Sequence, residues 1–168
     1  MKTSDQPVSI FLIDDDNMFL SSLAHSLNQK LKSKVKISSF ASGEACLKEL
    51  NHDPDIVVLD YYLNSENVNA MNGVQVLKKI KSQHSEAPVI MLSSEDKVEV
   101  VSDSFRNGAF EYVVKNESFL ARMENMIKNM ISNIDIQRKR DKYEKWNYII
   151  GTSLVLFLVL DILYYIFH

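Results

Sequence analysis

The residues that decide the fold lie at positions 8–16 and read VSIFLIDDD, an apolar run that ends abruptly in three aspartates. A second apolar run, IVVLD at positions 56–60, ends in the same way at Asp60. A carboxylate at the exit of a buried strand is costly unless a partner compensates its charge. Two such strands side by side gather several carboxylates at one sheet edge, and carboxylate oxygens are ligands of hard cations such as Mg2+. The sequence therefore predicts an acidic metal pocket at the carboxyl ends of parallel strands.

Short apolar runs alternate with segments of helical periodicity as far as residue 117. The predicted strands are 8–13, 35–40, 56–59, 89–92 and 112–114. Asn72-Gly73 is interpreted as a turn before the third helix, and Asn107-Gly108 as the end of the fourth. Uninterrupted apolar strands that alternate with helices predict an α/β fold, with a doubly wound parallel sheet covered on both faces. In such folds ligands bind at the carboxyl ends of the strands, where the aspartates lie.

The composition is that of a globular protein with one ordinary domain and an appendage. The chain has 168 residues, a net charge of −3 and a single cysteine, Cys46. One cysteine excludes an intramolecular disulfide framework and fits a reducing compartment. Acidic residues exceed basic ones over residues 1–117, so direct binding of nucleic acid is not expected. Residues 118–146 carry a basic excess that needs its own explanation.

The last part of the chain has a different pattern. Residues 149–167 are apolar apart from Asp161 and are long enough as a helix to cross a bilayer core of about 30 Å. Aromatic residues lie near both ends of this run, and the basic cluster 138–145 precedes it. We therefore expect three parts: a domain over 1–117, a basic juxtamembrane helix over 118–146 and a transmembrane helix over 147–168. The positive-inside tendency places the N-terminal domain in the cytoplasm of a single-pass membrane protein.

Alternative interpretations of this C-terminal part stay open. The apolar run also fits a core helix or an apolar dimer helix, and the basic cluster also fits a solvated helix face. The spacing of Phe119, Met123, Met126 and Met130 fits a coiled-coil seam, which makes a homodimer a further possibility. Asp161 is read either as an intramembrane partner site or as a hydrated residue near the interface.

Five kinds of residue that can bind a phosphoryl group or a metal, or pack beside them, follow one another at or near the ends of the predicted strands. They are the acidic pair Asp14-Asp15, then Asp60, Ser93, Tyr112 within the last strand, and Lys115. With these motifs, residues 8–117 resemble the receiver domain of two-component response regulators, of the chemotaxis type with a single receiver domain. The resemblance implies a flavodoxin-like (βα)5 fold.

The resemblance also implies a role for each residue of the motif. Asp60 is the phosphoacceptor, and Ser93 and Lys115 contact phosphoryl oxygens. Asp14, Asp15, Asp60 and the backbone carbonyl of Tyr62 form the Mg2+ site, with Asp14 acting through water. Tyr112 is the switch aromatic that follows Ser93, although a half-buried sheet aromatic is the alternative. Asp16 is expected to begin a helix and to lie outside the metal site.

Three features depart from the family pattern. Asn116 stands after Lys115, where the family usually has proline. Residues 64–70 lengthen the loop that follows Asp60, beside the pocket. Tyr62 places a bulky ring two residues after Asp60, so we expect slow hydrolysis of the phosphoryl group.

These observations together predict a membrane-tethered response regulator rather than an enzyme. It accepts a phosphoryl group on Asp60 from a histidine kinase or phosphotransfer protein and signals to an unknown output protein through protein contacts. A phosphate-independent receiver-fold scaffold at the membrane is the alternative. A phosphohydrolase is disfavoured because Tyr62 stands where such enzymes usually carry a second acid.

Overall fold

The computed structural model describes residues 6–63, 70–84 and 86–167. The strands in these ranges are β1 Val8–Ile13, β2 Val35–Phe40, β3 Ile56–Asp60, β4 Val89–Ser93 and β5 Glu111–Val114. The α-helices are α1 Asn17–Leu31, α2 Gly43–Lys48, α3 Gly73–Gln83, α4 Val98–Arg106 and α5 Phe119–Phe167. Two short 3-10 helices, Lys32–Lys34 and Leu50–His52, follow α1 and α2.

The strands form one parallel sheet in the order β2-β1-β3-β4-β5. β3 and β4 are buried along their whole length, and β1 along nearly all of it. Such burial explains why these strands are continuous apolar runs with no alternation of polar residues. The prediction of a flavodoxin-like (βα)5 fold is confirmed. β2 lies on one side of β1, and β3, β4 and β5 follow on the other side, so the direction in which strands are added reverses between β1 and β3.

The core follows from the periodicity of the helices. Leucines at helical spacing cover one face of α1, and Val76, Leu77 and Ile80 of α3 pack in a cluster with β3 and β4. Each buried Val, Leu or Ile side chain contributes about 1.5–3 kcal/mol relative to an exposed one. The helices thus fix the sheet, and the sheet fixes the positions of the strand ends.

The sequence reading of Asn72-Gly73 as a turn needs correction. Asn72 is the N-cap of α3, and its side chain accepts a hydrogen bond from the backbone N–H of Gln75 at 2.9 Å. The Gln75 side chain accepts one from the Asn72 backbone N–H at 3.0 Å, which completes a capping box. Asp16 caps α1 in a similar way by accepting from Met18 and Phe19, as expected of a residue that begins a helix.

The chain divides into two compact units. The first is Pro7–Asn129, and the second contains Gln6 and residues 130–167. α5 includes an 18-residue window of mean hydropathy 2.2, all of it exposed, and it is the one helix in the described ranges that is long and apolar enough to cross a membrane. The boundaries 1–117, 118–146 and 147–168 stay predictions.

The coiled-coil seam expected at the start of α5 is used differently. Phe119, Met123 and Ile127 are buried within the first unit, and Phe119 packs on Phe19 of α1 with ring centroids 5.4 Å apart. These side chains therefore belong to the core of their own domain. A homodimer, if it forms, does not use Phe119 and Met123 as its seam.

Candidate phosphoacceptor site

Four of the predicted site residues meet at one edge of the sheet because each lies at the carboxyl end of a strand. Asp14 follows β1, Asp60 ends β3, Ser93 ends β4 and Lys115 follows β5. The backbone N–H of Lys115 donates to the Ser93 carbonyl at 2.8 Å, which continues the pairing of β4 with β5 beyond the last strand residue. The parallel register thus brings together residues that are far apart in sequence.

Lys115 lies between the two buried carboxylates. Its Nζ is 2.6 Å from Asp14 Oδ2 and 2.7 Å from Asp60 Oδ1, and both aspartates are buried. Burial lowers the pKa of Lys115, but the bonds to Asp14 and Asp60 outweigh it and hold the pKa above its ordinary value. The ammonium therefore compensates the negative charge of these two carboxylates.

The remaining oxygens of the two aspartates accept backbone hydrogen bonds. Asp16 N–H donates to Asp14 Oδ1 at 3.0 Å, and Tyr62 N–H donates to Asp60 Oδ2 at 3.0 Å. Burial raises the pKa of Asp60, the repulsion of Asp14 adds to the rise, and Lys115 and the Tyr62 N–H oppose it. Both carboxylates are consequently fixed in orientation.

The acidic cluster fits the metal that the sequence predicts. Asp14, Asp15 and Asp60 each offer a carboxylate oxygen, and these oxygens lie within 4.8 Å of one another. An all-oxygen, carboxylate-rich donor set suits Mg2+, which is usually bound by one or two carboxylates together with water and phosphate oxygens. The contribution of the Tyr62 carbonyl and the water-mediated role of Asp14 stay predictions.

Gly73 allows α3 to begin close to the end of β3. A Cβ at this position would lie 2.2 Å from the Asp60 carbonyl oxygen and 2.8 Å from the Cα of Tyr61. The Gly73 N–H donates to the Tyr61 carbonyl at 3.0 Å. The absence of a side chain at the start of α3 is therefore what lets the helix approach the backbone of Asp60.

Ser93 and Tyr112 are joined through Glu95, a residue that the sequence reasoning did not select. Ser93 is fully buried, and its Oγ accepts from the Glu95 N–H at 3.1 Å. The Tyr112 hydroxyl donates to the Glu95 carbonyl at 2.6 Å, so the ring is held inward and is buried. Burial raises the pKa of Tyr112, and the nearby Ser93 side chain partly opposes the rise.

The side chain of Glu95 has other partners. Lys97 Nζ lies 2.7 Å from Glu95 Oε2, and a hydrogen bond joins Glu95 to the Tyr62 hydroxyl. Tyr62 is partly exposed and packs edge-on against Tyr61, with ring centroids 4.8 Å apart. This contact connects the loop after β3 to the loop after β4 beside Asp60. The sequence signal that could have pointed to Glu95 is a carboxylate two residues after the fourth strand.

Two of the departures from the family pattern concern loops. Asn116 Oδ1 accepts two hydrogen bonds from Ser118, one from its N–H at 3.1 Å and one from its hydroxyl at 2.9 Å. The Phe119 N–H donates to the Asn116 carbonyl at 2.9 Å. Asn116 therefore orders the turn that leads into α5. The inserted loop 64–70 lies outside the described residues except for its last position.

Comparison with known proteins agrees with this geometry. The family model described as the response regulator receiver domain matches residues 10–128, more than half of the chain. The chain belongs to the receiver-domain family of response regulators. The match covers residues 10–13 of β1, the whole of the other four strands, and the residues Asp14, Asp60, Ser93 and Lys115.

Several curated proteins are related to this receiver domain. Transcriptional regulatory protein MalR of Bacillus subtilis is 26% identical over 119 residues, which cover 67% of this chain and 46% of MalR. TcrX, a probable transcriptional regulatory protein of Mycobacterium tuberculosis, is 30% identical over 118 residues, or 68% of this chain and 47% of TcrX. Chemotaxis protein CheY of Bacillus subtilis is 29% identical over 104 residues, or 62% of this chain and 82% of CheY. The match thus spans less than half of MalR and TcrX, and most of CheY.

Solved structures show the same fold. The BeF3-activated receiver domain of DrrB, from Thermotoga maritima, has a TM-score of 0.63 at 25% identity and covers 75% of this chain and 98% of that one. A CheY-like receiver protein of Methanospirillum hungatei has a TM-score of 0.65 at 18% identity and covers 80% of this chain and 98% of its own. The second likeness supports the fold alone.

Proposed function

We propose that this receiver domain accepts a phosphoryl group on Asp60 from a histidine kinase or phosphotransfer protein, and that its C-terminal helix tethers it to a membrane. One observation carries the proposal. The ammonium of Lys115 is placed within 2.7 Å of Asp60 Oδ1 and 2.6 Å of Asp14 Oδ2, beside the third carboxylate of Asp15. This arrangement gives a nucleophilic carboxylate, a cation for the phosphoryl oxygens and ligands for a divalent metal.

The proposed transfer needs little covalent chemistry from the protein. A carboxylate oxygen of Asp60 forms a bond to the phosphorus of a phosphohistidine as the P–N bond breaks, and the imidazole nitrogen keeps the electron pair. Lys115 is already at the acceptor carboxylate and places its positive charge beside an oxygen of the incoming group. Asp15 and Asp60 would hold Mg2+ directly and Asp14 through water, and the bound ion would neutralise charge on the phosphoryl oxygens.

The contacts of Ser93 and Tyr112 support a switch that reads the phosphoryl group. The Ser93 hydroxyl is buried at the pocket edge and is the donor proposed for a second phosphoryl oxygen. A movement of Ser93 toward Asp60 changes its hydrogen bond with the Glu95 N–H, and the Glu95 carbonyl in turn holds the Tyr112 hydroxyl. The local charge of the phosphoryl group thereby biases the position of an aromatic ring.

The proposed output is a protein contact at a membrane. α5 has the length and hydropathy of a membrane span, and the basic residues of 138–145 precede the apolar run. These features support a single-pass protein with a cytoplasmic receiver domain. Tethering raises the effective concentration of the receiver near membrane-bound kinases and output partners.

Phosphorylation is tested by incubating the full chain with phosphoramidate or acetyl phosphate and Mg2+ in detergent micelles. We expect intact-mass spectrometry to show one added phosphoryl group on the wild type and on Asp16→Asn, and none on Asp60→Asn. Asp16 is the matched control because it is a neighbouring aspartate whose carboxylate caps α1. No incorporation into the wild type, or equal incorporation into Asp60→Asn, would sink the proposal in favour of a phosphate-independent scaffold.

Tethering is tested separately by membrane fractionation of the chain with and without residues 147–168. We expect the full chain to remain in membranes washed with alkaline carbonate, and the shortened chain to be released. Release of both would refute the tether and leave the phosphoryl-transfer proposal standing.

A further inference from the structure

Lys115 has a third neighbour that neither the motif nor the proposed chemistry assigns. Its Nζ lies 4.3 Å from the ring centroid of Phe19, on the first turn of α1. The ammonium therefore has two carboxylates and the face of an aromatic ring around it. A cation within about 6 Å of a ring centroid is attracted by the ring quadrupole.

Phe19 is held both at its backbone and at its ring. The Phe19 backbone N–H donates to the capping side chain of Asp16 at 3.0 Å, which fixes the start of α1. The other contact is Phe119, whose ring centroid is 5.4 Å from that of Phe19 at an interplanar angle of 40°. Phe19 is half-buried, so its position is determined by packing and by a cap.

Lysine needs such support more than most cationic residues do. Its ammonium is a point charge on a flexible stem with four carbons, so ion pairing alone leaves its position loosely defined. Asp14 and Asp60 both attract the group, and their lone pairs allow it to move between them. The face of the Phe19 ring, with its centroid 4.3 Å from Nζ, restricts that movement.

We propose that Phe19 is a positioning residue for phosphoryl transfer: its ring holds the Lys115 ammonium at the acceptor carboxylate, and Phe119 supports the ring. Phe19 contacts no reacting atom and acts through Lys115. The inference rests on the proposed function of the site, because it assigns Phe19 a part in the phosphorylation of Asp60.

The test measures the rate of phosphorylation of the full chain by phosphoramidate and Mg2+, in micelles, for three substitutions. Phe19→Leu keeps an apolar side chain but removes the ring, and we expect a rate roughly 3- to 30-fold slower, the range that cation–π energies predict. Phe19→Tyr keeps the ring face and should restore the rate to within about twofold of the wild type. Phe40→Leu is the matched control, since it removes a ring that packs on Phe11 at 4.8 Å, and its rate should also stay near that of the wild type.

A thermal double-mutant cycle separates this inference from the proposed function. Phe19→Leu is combined with Lys115→Met, and the shifts in Tm are compared without any phosphodonor. We expect Phe19→Leu to cost less stability when Lys115 is absent, because the cation–π contact is already lost. A wild type that takes no phosphoryl group would overturn the proposed function and the assigned part in transfer, while the cycle still tests the Phe19–Lys115 contact. Three results would overturn the inference. The Tm shifts could be additive, Phe19→Leu could be phosphorylated as fast as Phe40→Leu, or Phe19→Tyr could be as slow as Phe19→Leu.

Discussion

Removal of the Lys115 ammonium should destabilise the metal-free domain strongly. The substitution Lys115→Met keeps most of the stem and leaves Asp14 and Asp60 as neighbouring carboxylates with no cation between them. Their side chains are 3% and 6% exposed, and that of Lys115 is 21% exposed, so solvent screening is weak. Breaking a buried ion pair by removing one partner costs about 3–5 kcal/mol. For a domain of this size that corresponds to a fall in Tm of at least about 12 °C.

The pH dependence has a definite sign. Burial already raises the pKa of Asp60, and loss of Lys115 removes the main group that opposes the rise. A carboxyl whose folded pKa lies above its unfolded value stabilises the fold below the unfolded pKa and loses that contribution as pH rises through the folded pKa. The difference in Tm between Lys115→Met and the wild type should therefore widen from acidic to neutral pH.

The assay is thermal unfolding of the full chain in detergent micelles with a chelator, followed by near-ultraviolet circular dichroism of the tyrosines. Lys97→Met is the matched control, because Lys97 also pairs with a carboxylate, at 2.7 Å from Glu95, but is well exposed. We expect this control to leave Tm almost unchanged. Equal, small shifts for both variants would refute the argument that the buried carboxylates depend on Lys115.

Three further predictions concern single positions. Tyr62→Asn should speed loss of the phosphoryl group from Asp60 several-fold, because the ring beside the pocket is removed; a label-chase rate equal to that of the wild type would contradict this. Gly73→Ala should destabilise the fold by about 1–3 kcal/mol, because the new Cβ would lie 2.2 Å from a backbone oxygen. A Cβ at Gly151 would have no atom within 4 Å, so Gly151→Ala should leave unfolding of the receiver domain unchanged in the same melting assay. Cys46 should resist a thiol reagent at pH 8 until urea unfolds the domain, because burial raises its pKa to about 12; rapid labelling of the native protein would be the contrary result.

The sequence predicted those parts of the site that depend on strand ends. Asp14, Asp60, Ser93 and Lys115 follow apolar runs, and a parallel sheet places all such ends at one edge whatever the details of the loops. Asn72 was misread because an Asn-Gly pair signals a turn, and only the reciprocal bonds with Gln75 reveal a helix cap. The general lesson is that periodicity locates elements more reliably than their exact beginnings.

The contacts that were missed depend on side-chain direction rather than on order along the chain. In the sequence Phe19 is an ordinary apolar position of a helix, yet its ring faces the ammonium of Lys115. Glu95 stands two residues after a strand and looks like an ordinary surface acid, yet it joins Tyr62 to Tyr112. Both contacts cross between loops or helices that are distant in sequence, and no local pattern encodes them.

Glu95 makes its contacts through two different groups, its backbone carbonyl and its side-chain carboxylate. Tyr112 is anchored by the Glu95 backbone carbonyl, which every amino acid possesses, whereas Tyr62 and Lys97 are bound by the carboxylate. Substitution at position 95 therefore changes the surface beside the pocket and leaves an acceptor for the tyrosine hydroxyl in place. The contact that holds Tyr112 is thus independent of the amino acid at position 95, whereas the contacts of Tyr62 and Lys97 depend on it.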